Sequence, residues 1–232
     1  MNVYNHISAI FIKQIKDSLK NPLTIVVFFM FPILSYIFKG LVSDEEFAYL
    51  LPSFMTMNTV MLPIIFMSSI VSEEKEKQSL RMLIMSNVKA WEYMVGIGIC
   101  VFAEAMLSTC LFLLLVPLTI QGFIVCIVAA VIGICCSMLI GAILAVFSKN
   151  QMSVGPLCAP ISMILGLLPM FSAMNDTIEH IAKIFYSYYV RKMFVSLHFE
   201  FPTYAWAIIG TNIIVLFSCF AIFYKHKGLV NE

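Results

Sequence analysis

Ser72–Tyr93 reads SEEKEKQSLRMLIMSNVKAWEY, the longest charge-rich interruption in a chain that is otherwise nearly all hydrocarbon. Its opening run, Glu73, Glu74, Lys75, Glu76 and Lys77, cannot sit in lipid, where each ion costs roughly 2.5 to 3.5 kcal/mol at mid-bilayer, so it is expected to face water. Behind the run, Leu80, Leu83 and Ile84, with Arg81 among them, repeat at a short helical period. They give one apolar edge suited to docking against a partner. Charge alone is also met by an ordinary loop between two membrane helices.

The surroundings of this stretch set the class. The chain of 232 residues is 61% hydrophobic and only 12% charged, with a mean hydropathy of +0.97, values that no water-soluble domain of this size tolerates without aggregating. An integral membrane protein is the consequence. A span needs about 20 apolar residues to cross roughly 30 Å of hydrocarbon as a helix. Alternating segments of the β-barrel kind are absent, so the expected fold is all-α, a single domain of membrane helices.

Residues 1–20 lack the compact apolar core and small-residue cleavage site of a signal peptide. Val3, Tyr4, Ile7, Ile10, Phe11 and Ile15 fall on one helical face, opposite Asn2, His6, Lys13, Lys16, Asp17 and Lys20. Such a helix is expected to lie flat in the interface with its lysines toward head groups. Asn21-Pro22 breaks the pattern. Spans are then expected at 23–38, 48–71, 94–118, 123–147, 153–170 and 204–224, with a short wet connection at 39–47. Pro169 should stop or kink the fifth. Residues 172–203 are amphipathic, with Ile178, Ile181, Ala182, Phe185, Tyr188, Tyr189 and Met193 opposite Glu179, Lys183, Ser187 and Arg191, and read as a surface helix.

Six spans place both termini on one side. With the N-terminus inside, Lys13, Lys16, Lys20, Lys75, Lys77, Arg81, Lys89, Lys149, Lys225 and Lys227 are interior, against Lys39, Lys183, Arg191 and Lys192 outside. Cytoplasmic termini are expected, in the plasma membrane of a bacterial cell, with residues 72–93 cytoplasmic and 172–203 extracellular. The Asn175-Asp176-Thr177 sequon in the outer segment is too short a match to carry weight.

Catalytic chemistry finds little support. The seven cysteines, among them Cys100 and Cys135, all lie in apolar stretches and read as small packing residues. His6, His180, His198 and His226 form no metal-binding pair, and no phosphate-cradling glycine loop precedes a Lys-Ser or Lys-Thr step. Nor does the net charge of +1 suggest nucleic acid. Glu73-Glu74 sits in a solvated run rather than the protected cavity that glutamate-dependent proteolysis requires. Glu104, about midway along the third span, is either a substrate contact or protonatable hinge, or a neutral acid bonded to Ser108 or Thr109 on its own helix. Asn58 and Asn212 read as interhelical hydrogen-bonding groups more than substrate ligands.

The order of amphipathic helix, two spans, charged segment and four more spans with an amphipathic helix before the last resembles the membrane subunit of type-2 ATP-binding cassette (ABC) transporters. In residues the resemblance is carried by Glu74-Lys75-Glu76, Leu80, Leu83, Ser86, Glu92-Tyr93 and Gly96, while Gln78-Ser79 and Asn87 stand where that family has Gly-Thr and Pro. The resemblance implies a permease whose 72–93 segment contains a coupling helix, with Glu73, Glu74, Glu76, Ser79, Leu80, Arg81 and Leu83 meeting a separate ATPase. It also implies two ATPase copies carrying ATP and Mg, a second permease chain forming the pathway, and no cofactor on this chain itself. The outer helix would cap the exit through Phe185, Tyr188 and Tyr189, aromatics that interfacial anchoring alone also accounts for. With no soluble binding domain, export of a hydrophobic or amphipathic cargo such as a peptide, antimicrobial, lipid-like molecule or drug is expected, and the sixteen methionines suit an adaptable apolar surface. The rival class is a channel that opens without ATP, or an assembly scaffold.

Overall fold

A computed structural model describes residues 3–77, 90–115, 119–148, 150–198 and 202–227. All regular structure among them is helical: α1 (Val3–Lys20), α2 (Pro22–Lys39), α3 (Asp44–Glu76), α4 (Ala90–Leu113), α5 (Ile120–Phe147), α6 (Gln151–Phe171), α7 (Asp176–Ala182), α8 (Tyr186–Ser196) and α9 (Thr203–Lys227). Five of these, α3, α4, α5, α6 and α9, are long and apolar enough to cross a membrane, and a sixth crossing results if α1 and α2, bent by 72° where they join, count as one span. Of the expected coupling residues, Ser79, Leu80, Arg81 and Leu83 lie outside the described residues.

The bundle is organised on α3, which packs against α2, α4, α5, α6 and α8. Its first turn was expected to be wet connection, yet the helix begins at Asp44 because Ser43 and Glu46 form a reciprocal cap and Asp44, Glu45 and Glu46 complement the helix dipole. At its other end the charge run is the last helical turn rather than a loop. The resulting 33 residues rise about 50 Å, longer than the roughly 30 Å hydrocarbon layer, so the end at Glu76 projects from it.

Small residues set the closest approaches. A Cβ on Gly141 of α5 would lie 2.7 Å from the Ile64 carbonyl oxygen, and one on Gly133 would lie 3.2 Å from Thr59, so α5 rides directly on the α3 backbone. Phe28 and Phe66 stack with centroids 3.9 Å apart, closing α2 over the same helix. The polar tie between these helices is Asn58, wholly buried, which donates to Thr109 Oγ1 at 3.1 Å and accepts from Ser108 Oγ at 2.8 Å. The single Ser108 proton is shared between Asn58 and the Phe28 carbonyl, 2.7 Å from Oγ, so one node joins α2, α3 and α4. α6 runs through Pro156, Pro160 and Pro169 and ends at Phe171, two residues past the proline where a stop or kink was expected.

Two expectations change. Residues 172–203 do not form one surface helix: α7 and α8 are separate, and in α8 Ser187 and Arg191, expected on the wet face, are buried with Tyr186, Tyr188, Tyr189, Val190, Met193 and Phe194. The reason is position, since α8 is inserted among α3, α5, α6 and α9, and Tyr186 reaches Ser137 near the middle of α5, oxygen to oxygen 2.7 Å. Nor does α1 stand alone on a surface. His6 meets Glu92, Ile10 meets Gly96 and Ser18 meets Glu104, pairs that share one sequence offset of 86, so α1 runs alongside α4 in the same direction.

Candidate functional site

The charged end of α3 is a joint of four helices. Glu74, Lys75 and Glu76 are consecutive and therefore point about 100° apart around the helix, which sends each to a different neighbour. Glu74 accepts from Lys13 of α1 at 2.6 Å. Lys75 donates to the carbonyls of Ala145, Val146 and Ser148 at 3.0, 3.3 and 2.8 Å, covering the C-terminus of α5. Glu76 accepts from the Gln151 backbone N–H at 3.0 Å, covering the N-terminus of α6. Each sign matches its target. A helix leaves carbonyls unpaired and partial negative charge at its C-terminus, N–H groups and positive charge at its N-terminus. A hydroxyl pair, Ser72 with Ser148, adds a further link between α3 and the end of α5.

This geometry revises the expectation that the whole run faces water. Glu74 is only 8% exposed and its carboxylate is committed to Lys13, so charge in the sequence had concealed an internal tie. Glu76 and Lys77 are the exposed members; Lys77 pairs one turn back with the half-buried Glu73, and that bond holds the Lys77 ammonium above the usual lysine range. Beside them lies a polar cleft of about 450 Å³, bordered by Lys13, Asp17, Lys20, Glu73, Glu74 and Lys77.

The first turns of α4 extend the joint. Glu92, 2% exposed, bonds to His6 Nδ1 at 2.8 Å. A Cβ on Gly96 would lie 2.7 Å from Ile10 Cγ2 and 2.9 Å from Ile10 Cβ, so glycine is what lets α1 seat. His6, Ile10 and Lys13 stand at i, i+4 and i+7 and thus form one stripe of α1. Sequence reasoning divided that stripe between an apolar and a polar face. The signal that could have found it is the spacing of Glu92 and Gly96, four apart on the partner helix. His6, Lys13 and Ile10 are therefore members of the site that the sequence alone did not assign.

The candidate intramembrane residues scatter. Glu104 does not bond to Ser108 or Thr109, whose hydroxyls go to Phe28 and Asn58 and to the Ala105 carbonyl. It turns instead toward Ser18 of α1 and accepts from Cys100 Sγ at 3.7 Å. Its Oε2 is buried with no hydrogen-bond partner among the described residues. Asn58 holds the three-helix node, and Asn212 donates to the carbonyls of Ile184 and Ile208 at 3.1 and 2.9 Å, tethering α9 to the turn between α7 and α8. None of the three converges with another on a common chamber.

At the opposite end of α3 the candidate gate aromatics are tied down. Tyr188 donates to Glu179 at 2.6 Å and Tyr189 to the Lys183 carbonyl at 3.0 Å, while Phe185 is half-buried at the start of α8. The bond from Tyr188, with Lys183 in support, holds the Glu179 carboxyl below its ordinary range. Arg191, absent from the expected gate, donates from Nε to Ser53 at 3.2 Å and lies 5.3 Å over the Tyr49 ring. Burial lowers the proton affinity of its guanidinium.

Among the described residues no cluster of histidine, cysteine or carboxylate side chains could hold a metal. No curated protein matches the chain in sequence. The family profile described as ABC-2 family transporter protein matches residues 2–224 and so covers the α1 seam, the α3 joint and every candidate span together. The chain therefore belongs to the ABC-2 family of transporter proteins, transmembrane subunits whose membership implies an ABC ATPase as partner.

Proposed function

We propose that this chain is the transmembrane subunit of an ATP-driven exporter, paired with a second permease chain, identical or related, and served by two ATPase copies. The observation that carries this reading is the four-helix joint at the end of α3. Residues 78–89 lie in sequence between that joint and α4, and a force delivered to the end of α3 reaches α1, α5 and α6 directly through Glu74, Lys75 and Glu76. The ATPase would press on 78–89, including Ser79, Leu80, Arg81 and Leu83, and Glu74 would pass the movement on rather than touch the ATPase. Termini and joint face the cytoplasm in this reading, in accord with the lysine and arginine bias, and the α7–α8 pair with Phe185, Tyr188 and Tyr189 closes the outer exit.

Cargo chemistry follows from the walls. A cavity of about 450 Å³ between α4, α5 and α9 is bordered by Met67, Met94, Phe102, Met138 and Phe220 and is almost wholly apolar. It suits an amphipathic peptide, a lipid-like molecule or a drug better than a sugar or ion, and its flexible thioethers suit more than one shape. The test is reconstitution of the chain with its co-purified ATPase in liposomes loaded with a lipophilic dye. Dye movement that needs ATP and stops when residues 78–89 are replaced by a Gly-Ser linker is the expected result. Dye movement indifferent to ATP, or no ATPase in the purified complex, would favour a channel or scaffold instead.

A further inference from the structure

The end of the bundle remote from the joint holds a second polar chamber, of about 340 Å³, between the C-terminus of α6, α7 and α8. Four charged side chains border it: Asp176, Glu179, Arg191 and Lys192. Glu179 is already bound by Tyr188 at 2.6 Å and Lys183 at 3.1 Å. Lys192 rests 5.7 Å over the Tyr188 ring. Arg191 is different. It is 9% exposed, it uses one N–H on Ser53, and among the described residues it has no carboxylate in ion-pair range and no acceptor for its remaining N–H groups. Those N–H groups are not sealed in protein but open into the chamber, where, with no counter-ion beside them among the described residues, they favour an anion. Asp176, exposed at the start of α7, likewise has no ion pair among the described residues.

We propose that this chamber binds the head group of a zwitterionic lipid, its phosphate on the Arg191 fork and its primary ammonium at Asp176. Guanidinium presents paired donors that match phosphate oxygens, which an isolated ammonium does not. The volume is at the lower end for ligand sites and suits a head group rather than a drug-sized molecule. The chamber also lies at the level of the helix ends, beside Tyr49 in the second turn of α3 and beyond the end of α6, where bilayer head groups reside. Around it Phe171, Met174, Ile181 and Val195 stand exposed by 45%, 70%, 52% and 54%, apolar ground on which acyl chains can run.

The test uses the full chain in detergent and reads the thermal unfolding midpoint with dihexanoyl phosphatidylethanolamine, dihexanoyl phosphatidylglycerol or soluble glycerophosphoethanolamine added in turn. The ethanolamine lipid should raise the midpoint at the lowest concentration, and Arg191→Gln and Asp176→Asn should each raise the concentration required about tenfold or more, a loss of about 1.4 kcal/mol each. Asp176 is exposed, so its variant folds and carries the test if Arg191→Gln does not. An equal response to glycerophosphoethanolamine would overturn the lipid as the source of the head group. A response to the glycerol lipid as large as to the ethanolamine lipid, or one unchanged in Asp176→Asn, would overturn the zwitterion site.

Discussion

Replacing Gly96 by alanine tests the seam between α1 and α4 at its tightest point. The new Cβ would sit 2.7 Å from Ile10 Cγ2 and 2.9 Å from Ile10 Cβ, whereas carbon atoms rest at about 3.5 to 4.0 Å. Both helices carry the contact on rigid positions, so α1 must retreat by about 0.8 Å. The same retreat takes the His6–Glu92 bond from 2.8 Å to about 3.6 Å, past the limit of a hydrogen bond, and loosens the Lys13–Glu74 tie. Overpacking of this kind costs about 1–3 kcal/mol, and the better helix propensity of alanine returns about 1 kcal/mol. The net loss, about 0–2 kcal/mol, is small enough that stability alone is a weak readout. A double-mutant cycle with Ile10→Gly is decisive, because Ile10→Gly removes both clashing atoms, Cγ2 and Cβ, and its own helix-propensity cost cancels in the cycle. Measured by denaturation in detergent, the double variant should be more stable than the sum of the singles by about 1 kcal/mol. Additivity within about 0.5 kcal/mol would refute the seam as described.

Gly141→Ala and Gly166→Ala form a matched pair: the first Cβ meets the Ile64 backbone oxygen at 2.7 Å, the second meets the flexible Met61 side chain at 2.6 Å. Thermal unfolding should show Gly141→Ala destabilised by about 1–3 kcal/mol and Gly166→Ala by clearly less, and the reverse order would contradict the α3–α5 packing. Asn58→Ala should cost about 0.6–1.7 kcal/mol and loosen α2 as well as α4, read as faster proteolysis at both, whereas loss confined to α4 would deny the three-helix node. The depressed Glu179 carboxyl makes its tie to Tyr188 fully present above the ordinary carboxylate value of about 4.3 and lost as pH falls through the lower folded value. Tyrosine fluorescence should therefore titrate below that value in the wild type and not in Glu179→Gln, and identical curves would remove Glu179 from the linkage.

What could be read from the residues alone followed from lipid as solvent. Long apolar runs such as 123–147 fix helices and approximate ends, because a backbone in hydrocarbon has to satisfy itself. Ends were misjudged where capping, not hydropathy, decides: Asp44–Glu46 looked like loop by charge, yet three acids at a helix N-terminus extend α3. Partners were the larger gap. Glu74 and Arg191 looked solvated because a charged residue usually is, and only the arrival of Lys13 and Ser53 from distant sequence shows otherwise. α8 misled for the same reason, since its polar face contacts other helices rather than water. The acid-base-acid order of Glu74-Lys75-Glu76 was visible as a family feature. Its cause, three consecutive directions each meeting an opposite charge or helix end, needed the bundle.

In the proposed function, Glu74 transmits force to α1 through Lys13. The direct measurement is ATP hydrolysis and dye export by the complete complex carrying Lys13→Glu, Glu74→Lys or both. Each single reversal should leave the ATPase bound while uncoupling hydrolysis from export, and the double reversal, which restores an opposite-charge pair, should recover most of the coupling. A double variant no better than the singles, or single variants that shed the ATPase, would place Glu74 at the ATPase surface and contradict the joint.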